Sequence, residues 1–301
     1  MRLHHGKRGR AVESSRRKER RLPYAYACDA GEPGLDGTMP PEERVREVLS
    51  TLGLAFEPLD EPAGCAASGP GMNAIAAYAK VARLLGLAEG RLARLPDDGG
   101  TPTVVTPCAA CARSLSRAAD SLTTQPALRG AVSEELAAEG LPFHPGSVRV
   151  RHLLDVLVED VGSGAIRARV RRPLSGLKVA PFEGCPRTAG GDAAEGGPSR
   201  LGELLAALGA DVVDFPLRSH CCGGRAAEAS EETATSLHVR LLRCAAERHA
   251  DLVATACTRC ARNLAGGRDA VNRRYGTRFA TPVVHFTTLL ADALAGDGVR
   301  S

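Results

Sequence analysis

The chain has 301 residues, enough for one large domain or two domains of ordinary size. Hydrophobic residues make up 44% of it and aromatic residues only 3%, so Ala, Leu and Val must supply most of the core. No stretch is long and apolar enough to cross a bilayer, so we expect no transmembrane segment.

Most of the positive charge lies at the N-terminus. Residues 1–21 contain nine Lys or Arg and two Glu, a local charge of +7, so the rest of the chain carries −3. We expect a disordered basic tail, and no nucleic-acid binding because no basic or aromatic stripe recurs. No apolar run follows the tail as in a secretory signal, so a cytoplasmic location is expected. There, ten cysteines favour metal or redox chemistry over disulfides.

The sequence contains an internal duplication. One copy starts at "YAYACDAG" and the other at "KVAPFEGCP", and each runs from a short apolar strand into a cysteine, Cys28 or Cys185. A helix follows in each copy, with apolar residues at i, i+3, i+4 and i+7, and Gly53 or Gly209 ends it. The apolar residues are Val45, Val48, Leu49 and Leu52 in the first copy and Leu201, Leu204, Leu205 and Leu208 in the second.

The later parts of the two copies also match. A second strand, "LAFEPL" or "ADVVDFP", leads to Cys65 in the first copy and to Cys221 and Cys222 in the second. A third strand, in "PTVVTPCAAC" or "DLVATACTRC", leads into a Cys-x-x-Cys pair and a helix. These pairs are Cys108 with Cys111, and Cys257 with Cys260. Each copy closes with a similar segment, "VRVRHLLDVL" or "PVVHFTTLLADAL".

Strand–helix alternation with short loops predicts an α/β fold with parallel sheets. We predict two similar Rossmann-like domains, at 22–150 and 175–298, joined by a helical linker at 151–174. Each motif cysteine follows the C-terminal end of a predicted strand. Because ligands of open α/β sheets gather at that edge, we expect the cysteines of each domain to converge there.

Five cysteines of the second domain would meet at this edge: Cys185, Cys221, Cys222, Cys257 and Cys260. Five exceed the four that tetrahedral zinc takes, whereas thiolate-rich sites hold iron–sulfur clusters. Neighbouring cysteines rarely form a disulfide with each other, so the adjacent pair favours a multi-metal centre. Gly223 and Gly224 follow the pair and would let the backbone approach the metal closely.

The spacing of these residues resembles the cysteine-rich CCG domain. It reads Cys185, then Cys221-Cys222-Gly223, then Cys257-Thr-Arg-Cys260, with 35 residues between Cys185 and Cys221 and 34 between Cys222 and Cys257. Two such domains look like the B subunit of heterodisulfide reductase, and "GADVVDFPLRSHCCGG" is similar to that family in phrase order as well as in cysteines.

The resemblance covers residues 22–298 and implies a cofactor and an activity. Each complete motif of the family holds a noncubane 4Fe–4S cluster through five cysteines. Carried over, the five cysteines of the second domain would ligate such a cluster, with Cys221 and Cys222 as the catalytic residues. In the family, the clusters flank the mixed disulfide of coenzyme M and coenzyme B and cleave it in two one-electron steps.

The first domain departs from the pattern. Its set is Cys28, Cys65, Cys108 and Cys111, and "AGCAAS" stands where the adjacent pair should be, so one thiolate is missing. Four cysteines can hold a cubane 4Fe–4S cluster, a 2Fe–2S cluster or zinc, but not the five-cysteine arrangement. We expect a second iron–sulfur cluster or zinc here, with purely structural cysteines as the alternative.

Four further residues have less specific interpretations. Cys244 has no repeat partner and is expected to be an ordinary buried thiol. His220, beside the adjacent pair, is either a hydrogen-bond partner of a cluster sulfur or a surface loop residue. His152 and His285 occupy matching places before the closing helix of each copy, and we expect capping or packing roles for both.

The resemblance therefore implies an iron–sulfur oxidoreductase subunit that passes electrons to a small-molecule disulfide or a similar acceptor. The sequence contains no C-x-x-C-x-x-C run and no flavin fingerprint. We therefore expect the electrons to come from iron–sulfur or flavoprotein partner subunits in a complex. One alternative is a CCG-domain subunit of a lactate, glycolate or quinone-linked oxidoreductase. Another is a zinc-binding scaffold subunit without catalysis.

Overall fold

The protein consists of two α/β domains, each built on a four-stranded parallel sheet. This computed structural model describes residues 24–26, 42–54, 56–59, 73–94, 101–137, 139–141, 143–184, 199–224 and 230–294. Among them, no helix is both long and apolar enough to span a membrane. The basic tail and three predicted ligands, Cys28, Cys65 and Cys185, lie outside the described residues.

The described part of the first domain contains eight elements. They are β1 (Tyr24–Tyr26), α1 (Glu42–Thr51), β2 (Phe56–Pro58), α2 (Ala74–Leu92), β3 (Thr103–Thr106), α3 (Ala109–Thr124), α4 (Pro126–Ala137) and β4 (Arg149–His152). The strand order is β2-β1-β3-β4, with every neighbouring pair parallel. The order reverses between β1 and β3, and the C-terminal ends of strands at such a point form the usual ligand crevice.

The second domain repeats this topology. A connection of α5 (Leu153–Asp155), a π-helical turn (Val156–Val161) and α6 (Ser163–Arg167) leads into it. Its elements are β5 (Lys178–Phe182), α7 (Arg200–Ala207), β6 (Asp211–Val212), α8 (Glu231–Glu247), β7 (Leu252–Thr255), α9 (Thr258–Tyr275), β8 (Val283–His285) and α10 (Phe286–Leu294). The parallel order β6-β5-β7-β8 confirms the predicted duplication and the α/β fold.

The equivalent helices α1 and α7 bury the faces that the sequence predicts. None of their eight predicted apolar residues is more than 6% exposed. Gly53 and Gly209 follow the two helices with φ of +78° and +89°, a conformation that glycine adopts without steric cost and that ends a helix. The Ser199 hydroxyl accepts a hydrogen bond from the Gly202 amide at 2.8 Å and caps the start of α7.

A buried apolar cluster contains residues of both domains. Helix α1 of the first domain packs against α10, the last helix of the second. In the equivalent way, α7 packs against α5 and the π-helical turn, which close the first domain. Leu49, Leu157, Leu205 and Leu290 consequently belong to a single buried cluster. Each domain covers the other, so we expect the two to unfold as one unit.

The helical connection between the domains is broken into short pieces. Gly162, with φ of +84°, separates the π-helical turn from α6. Strand β4 includes Arg151 and His152, so it runs two residues past the boundary expected at residue 150. The limits 22–150, 151–174 and 175–298 remain a proposal.

Ion pairs join the connection to the second domain. Arg200 of α7 contacts Asp155 at 2.6 Å and Glu159 at 2.7 Å. Arg151 of β4 contacts the same Glu159 at 2.6 Å and Asp160 at 2.5 Å. Asp155 is only 5% exposed, so loss of Arg200 would remove an ion-pair partner from a buried carboxylate. The network therefore fixes the orientation of α7 against the end of the first domain.

We predict that Leu49→Ala and Leu205→Ala, in different domains, each shift one common unfolding transition. Both side chains are fully buried in the shared cluster, so each truncation should lower the free energy of unfolding by about 2–5 kcal/mol. Urea denaturation followed by circular dichroism measures this. Leu205→Met, which conserves volume, is the control and should cost less than about 1.5 kcal/mol. Two separate transitions, with only the mutated domain affected, would contradict a shared core.

Candidate metal centre

Two equivalent turns place a cysteine at the edge of each sheet. The Cys108 amide donates to the Thr106 hydroxyl at 3.4 Å, and the Cys257 amide donates to the Thr255 hydroxyl at 3.3 Å. Both threonines end a buried strand, and both cysteines occupy the N-cap position of the following helix, α3 or α9. The Thr-x-Cys sequence therefore turns each strand so that the sulfur lies at the ligand edge.

The Cys-Cys-Gly-Gly segment is folded around its two sulfurs. The Gly223 amide donates to Cys221 Sγ at 3.3 Å, and the Gly224 amide donates to Cys222 Sγ at 3.4 Å. Gly223 has φ of +81°, and a Cβ there would lie 3.1 Å from the Ala234 backbone on α8. Only glycine fits this position. Cys221 is exposed, whereas Cys222 is buried.

Two sulfur–sulfur contacts connect the motif cysteines. Cys260 Sγ lies 3.2 Å from Cys222 Sγ, which brings together two parts of the second-domain motif that are 38 residues apart. Cys108 Sγ lies 3.7 Å from Cys257 Sγ, although these residues belong to different domains. Spacing within each copy predicts the first contact but carries no information about the second.

The contacts shift the pKa values of the thiols in opposite directions. The hydrogen bond from Cys260 lowers the pKa of Cys222 to about 6 despite its burial, with help from the Gly224 amide. The same hydrogen bond, together with burial, raises the pKa of Cys260 well above its usual value. The neighbouring Cys108 thiol, together with burial, raises the pKa of Cys257. Without a metal, this cluster favours one thiolate, at Cys222.

The end of β5 approaches the same sulfurs. Gly184 has φ of +69°, and a Cβ there would lie 3.3 Å from Cys260 Sγ, so its backbone lies against that sulfur. The next residue along the chain is the predicted ligand Cys185. Before it, the buried Glu183 carboxylate accepts a hydrogen bond from the Leu201 amide at 3.2 Å. This bond attaches the end of β5 to the start of α7.

His238 and Asn263 support the adjacent pair and were not identified from the sequence. Asn263 Nδ2 donates to the Cys222 carbonyl oxygen at 2.8 Å and contacts His238 Nε2 at 2.6 Å. His238 is buried, which lowers its pKa, and its ring lies against Gly267 of α9. Asn263 follows Cys260 by three residues and so lies on the same helix face, a spacing from which its place beside the cysteines could have been predicted. No comparable signal marks His238.

His152 and His285 fill the predicted capping and packing roles and also cross between the domains. His152 Nδ1 accepts from the Leu154 amide at 3.1 Å, so Nε2 carries the proton. That Nε2 lies 2.9 Å from the carbonyl oxygens of both Pro107 and Ala256, one in each domain. His285 Nε2 donates to the same Pro107 oxygen at 3.0 Å. Complete burial lowers the pKa of His285 to about 3, so its ring is neutral.

The remaining predicted residues have mixed outcomes. Cys111 is buried, Cys244 is only half-buried on α8, and His220 is exposed, which favours its interpretation as a surface loop residue. Within the described ranges, no three His, Cys, Asp or Glu side chains form by themselves a group suited to a metal ion. The second-domain set also includes Cys185, which lies outside those ranges.

The donor atoms around Cys222 fit an iron–sulfur centre. Thiolate sulfurs are the usual ligands of such clusters, and backbone N–H groups that donate to those sulfurs tune them. The Gly223 and Gly224 amides already donate to two predicted ligand sulfurs. The backbone of Gly184 approaches a third, on Cys260, where any larger side chain would intrude.

The cysteine-rich domain (CCG) family matches residues 23–116 and 179–265, more than half of the chain. The chain therefore belongs to the CCG cysteine-rich domain family. Among its relatives is the 8-methylmenaquinol:fumarate reductase membrane anchor subunit of Wolinella succinogenes. The two are 29% identical over 260 residues, which cover 84% of this chain and 86% of that protein.

Two further relatives bear on the predicted class of protein. The B subunit of the Ferredoxin/F(420)H(2)-dependent CoB-CoM heterodisulfide reductase of Methanosarcina acetivorans is 30% identical over 64% of this chain and 65% of its own length. A protein of Archaeoglobus profundus, named as similar to the heterodisulfide reductase B subunit, is 27% identical over 85% of this chain and 86% of its own length. These matches confirm the resemblance to that subunit and support an iron–sulfur, electron-transferring oxidoreductase subunit.

We predict that Gly267→Ala disturbs the Cys222 loop, whereas Gly266→Ala does not. A Cβ at position 267 would lie 2.5 Å from the His238 ring, so the ring or its surroundings must shift, which disturbs the contact with Asn263. A Cβ at position 266 meets nothing within 4 Å. The 267 variant should lose about 1–3 kcal/mol of stability. The 266 variant should be unchanged or gain up to about 1 kcal/mol.

Chemical denaturation measures the stability difference, and electron paramagnetic resonance of iron-loaded protein reports on the centre. Both glycines lie in α9, so both variants gain the same helix propensity, and the comparison isolates the contact with His238. Equal stabilities and identical spectra for the two variants would show that His238 does not position the loop.

Proposed function

We propose that this chain is the iron–sulfur subunit of a heterodisulfide reductase-like complex and passes electrons to a small-molecule disulfide of the CoM-S-S-CoB type. The observation that carries the proposal is the Cys222–Cys260 contact of 3.2 Å beside a loop whose amides donate to both adjacent cysteine sulfurs. Such an arrangement brings cysteine sulfurs and backbone N–H donors together at one place, as a cluster requires.

In this proposal the second domain holds a noncubane 4Fe–4S cluster. Its ligands are Cys185, Cys221, Cys222, Cys257 and Cys260. When bound, an iron–sulfur cluster gives and takes one electron at a time. Cleavage of a disulfide consumes two electrons and two protons and releases two thiols. Electrons therefore have to arrive singly from iron–sulfur or flavoprotein partner subunits.

Different cysteines of this chain face the substrate and shield the centre from water. Cys221 is exposed, so its side of the centre is open to a substrate. Cys222, Cys257 and Cys260 are buried, so their sulfurs are shielded from water and from oxidants. The Gly223 and Gly224 amides hold the adjacent sulfurs in place without a mobile side chain.

The first domain has a different role in the proposal. Its four cysteines, Cys28, Cys65, Cys108 and Cys111, can hold an ordinary iron–sulfur cluster or zinc, but they lack the fifth thiolate. Cys108 and Cys111 are both buried, which suits either metal. We propose that this domain serves electron entry or structure, and that disulfide chemistry takes place at the second domain.

The first test is the content of iron, zinc and acid-labile sulfide per chain in protein purified without oxygen. About eight irons would mean a 4Fe–4S cluster in each domain, and about four would mean one in the second domain only. Either result supports the proposal. Zinc alone, with no sulfide even after reconstitution, would leave a structural scaffold and overturn it.

The activity is tested with the purified complex, a reduced viologen dye as electron donor and CoM-S-S-CoB as acceptor. Cys222→Ala should lower the rate by about 100-fold or more, because it removes a ligand as well as its contact with Cys260. Cys244→Ala, which removes a half-buried thiol outside the motif, is the matched control and should retain the activity. An unchanged rate in the Cys222 variant would contradict the role of the adjacent pair. Reduction of fumarate in place of disulfides would contradict the proposed electron acceptor.

A further inference from the structure

We propose that Cys108 of the first domain is an additional ligand of the second-domain metal centre and binds the same metal ion as Cys257. The inference rests on the proposed function only in that the second-domain cysteines hold a metal centre. It changes the composition of that centre, because the resemblance assigns Cys108 to a separate first-domain set, and it replaces the four-cysteine first-domain site described under the proposed function.

The distance between the two sulfurs is the first argument. Cys108 Sγ and Cys257 Sγ are 3.7 Å apart. Two thiolates on one tetrahedral metal, with metal–sulfur bonds of about 2.3 Å, have their sulfurs about 3.8 Å apart. A disulfide would need about 2 Å, so the observed distance excludes a covalent bond; it fits a hydrogen bond between two thiols and equally two thiolates on one metal ion.

Buried hydrogen bonds between the domains fix this distance. The residues immediately before the two cysteines, Pro107 and Ala256, both direct their carbonyl oxygens to His152 Nε2 at 2.9 Å. The Ala109 amide of the first domain donates to the same Ala256 oxygen at 3.1 Å. His285 Nε2 of the second domain donates to Pro107. Three of these bonds cross between the domains, and the fourth attaches His152 to Pro107 within the first, so the approach of the sulfurs is built into the fold.

The surroundings of the two sulfurs favour a bound cation. Cys108 is 2% exposed and Cys257 is 5% exposed, so water cannot screen charge on either sulfur. Each cysteine stands at the N-terminus of a long helix, α3 or α9, where backbone amides stabilise negative charge. Two thiolates this close would repel each other strongly in an apolar site unless a metal ion lay between them.

This assignment also accounts for the degenerate first motif. If Cys108 serves the second-domain centre, the first domain keeps Cys28, Cys65 and Cys111, too few for an ordinary four-thiolate site. The second-domain set, in contrast, gains a thiolate from across the interface. The thiolate that the first domain lacks is then not needed, because that domain contributes a ligand and holds no complete centre of its own.

Metal release tests the inference in a background that removes other first-domain ligands. In full-length Cys28→Ala/Cys65→Ala protein, the remaining centre belongs to the second domain. Adding Cys108→Ala should speed the loss of its metal to a chelator by about tenfold or more and change its electron paramagnetic resonance spectrum. Adding Cys244→Ala instead is the matched control and should change neither. A release rate for the Cys108 variant within about twofold of the control would overturn the inference.

A double-mutant cycle separates ligation from loss of folding. Circular dichroism melting identifies any variant that does not fold, and Cys108→Ser, closest in shape, provides a second test at the same position. If both sulfurs bind one metal ion, Cys108→Ala should add much less to metal release in a Cys257→Ala background than in the parent. Purely additive effects would overturn the inference.

The nature of the metal distinguishes this inference from the proposed function. Zinc bound in place of iron would overturn the redox function, but zinc release from the same variants would still decide whether Cys108 is a ligand. An iron–sulfur centre that is unaffected by Cys108→Ala would have the opposite meaning. It would leave the redox function in place and overturn the assignment of Cys108 as an additional ligand.

Discussion

One buried N–H group bridges the two domains at the candidate centre. His152 Nε2 faces the carbonyl oxygens of Pro107 and Ala256, each at 2.9 Å, and these residues precede the first cysteine of each Cys-x-x-Cys pair. Its other ring nitrogen accepts from the Leu154 amide, so the proton is fixed on Nε2. An unpaired buried donor or acceptor is costly, and this one histidine satisfies groups in both domains. The separation of the two sulfurs follows from that arrangement.

Much of the fold could be predicted because helix faces and helix ends are local properties of the sequence. The apolar spacing of α1 and α7 and the glycines that end them depend only on neighbouring residues, and all are confirmed. The duplication then predicted the second sheet from the first, because one pattern has to produce one topology twice. The same reasoning placed each Cys-x-x-Cys pair at a strand end.

What could not be predicted is the set of contacts between segments far apart in the chain. The approach of Cys108 to Cys257 depends on how two domains pack, and spacing within a copy contains no information about that. His238 supports the Cys222 loop from the interior of α8, where a histidine in the sequence looks like any half-polar helical residue. Cys28, Cys65 and Cys185 lie outside the described residues, so their predicted roles as ligands remain predictions.

The exchange of closing helices has a consequence for how such a chain can diverge. One copy alone would leave the apolar faces of its first and last helices bare, and a twofold-symmetric pair of identical copies would cover them for each other. In such a pair, every substitution appears twice. Joining the copies in one polypeptide keeps the mutual covering but makes it independent of protein concentration. It also releases each copy from the symmetry, so one can lose a cysteine while the other retains all of its own.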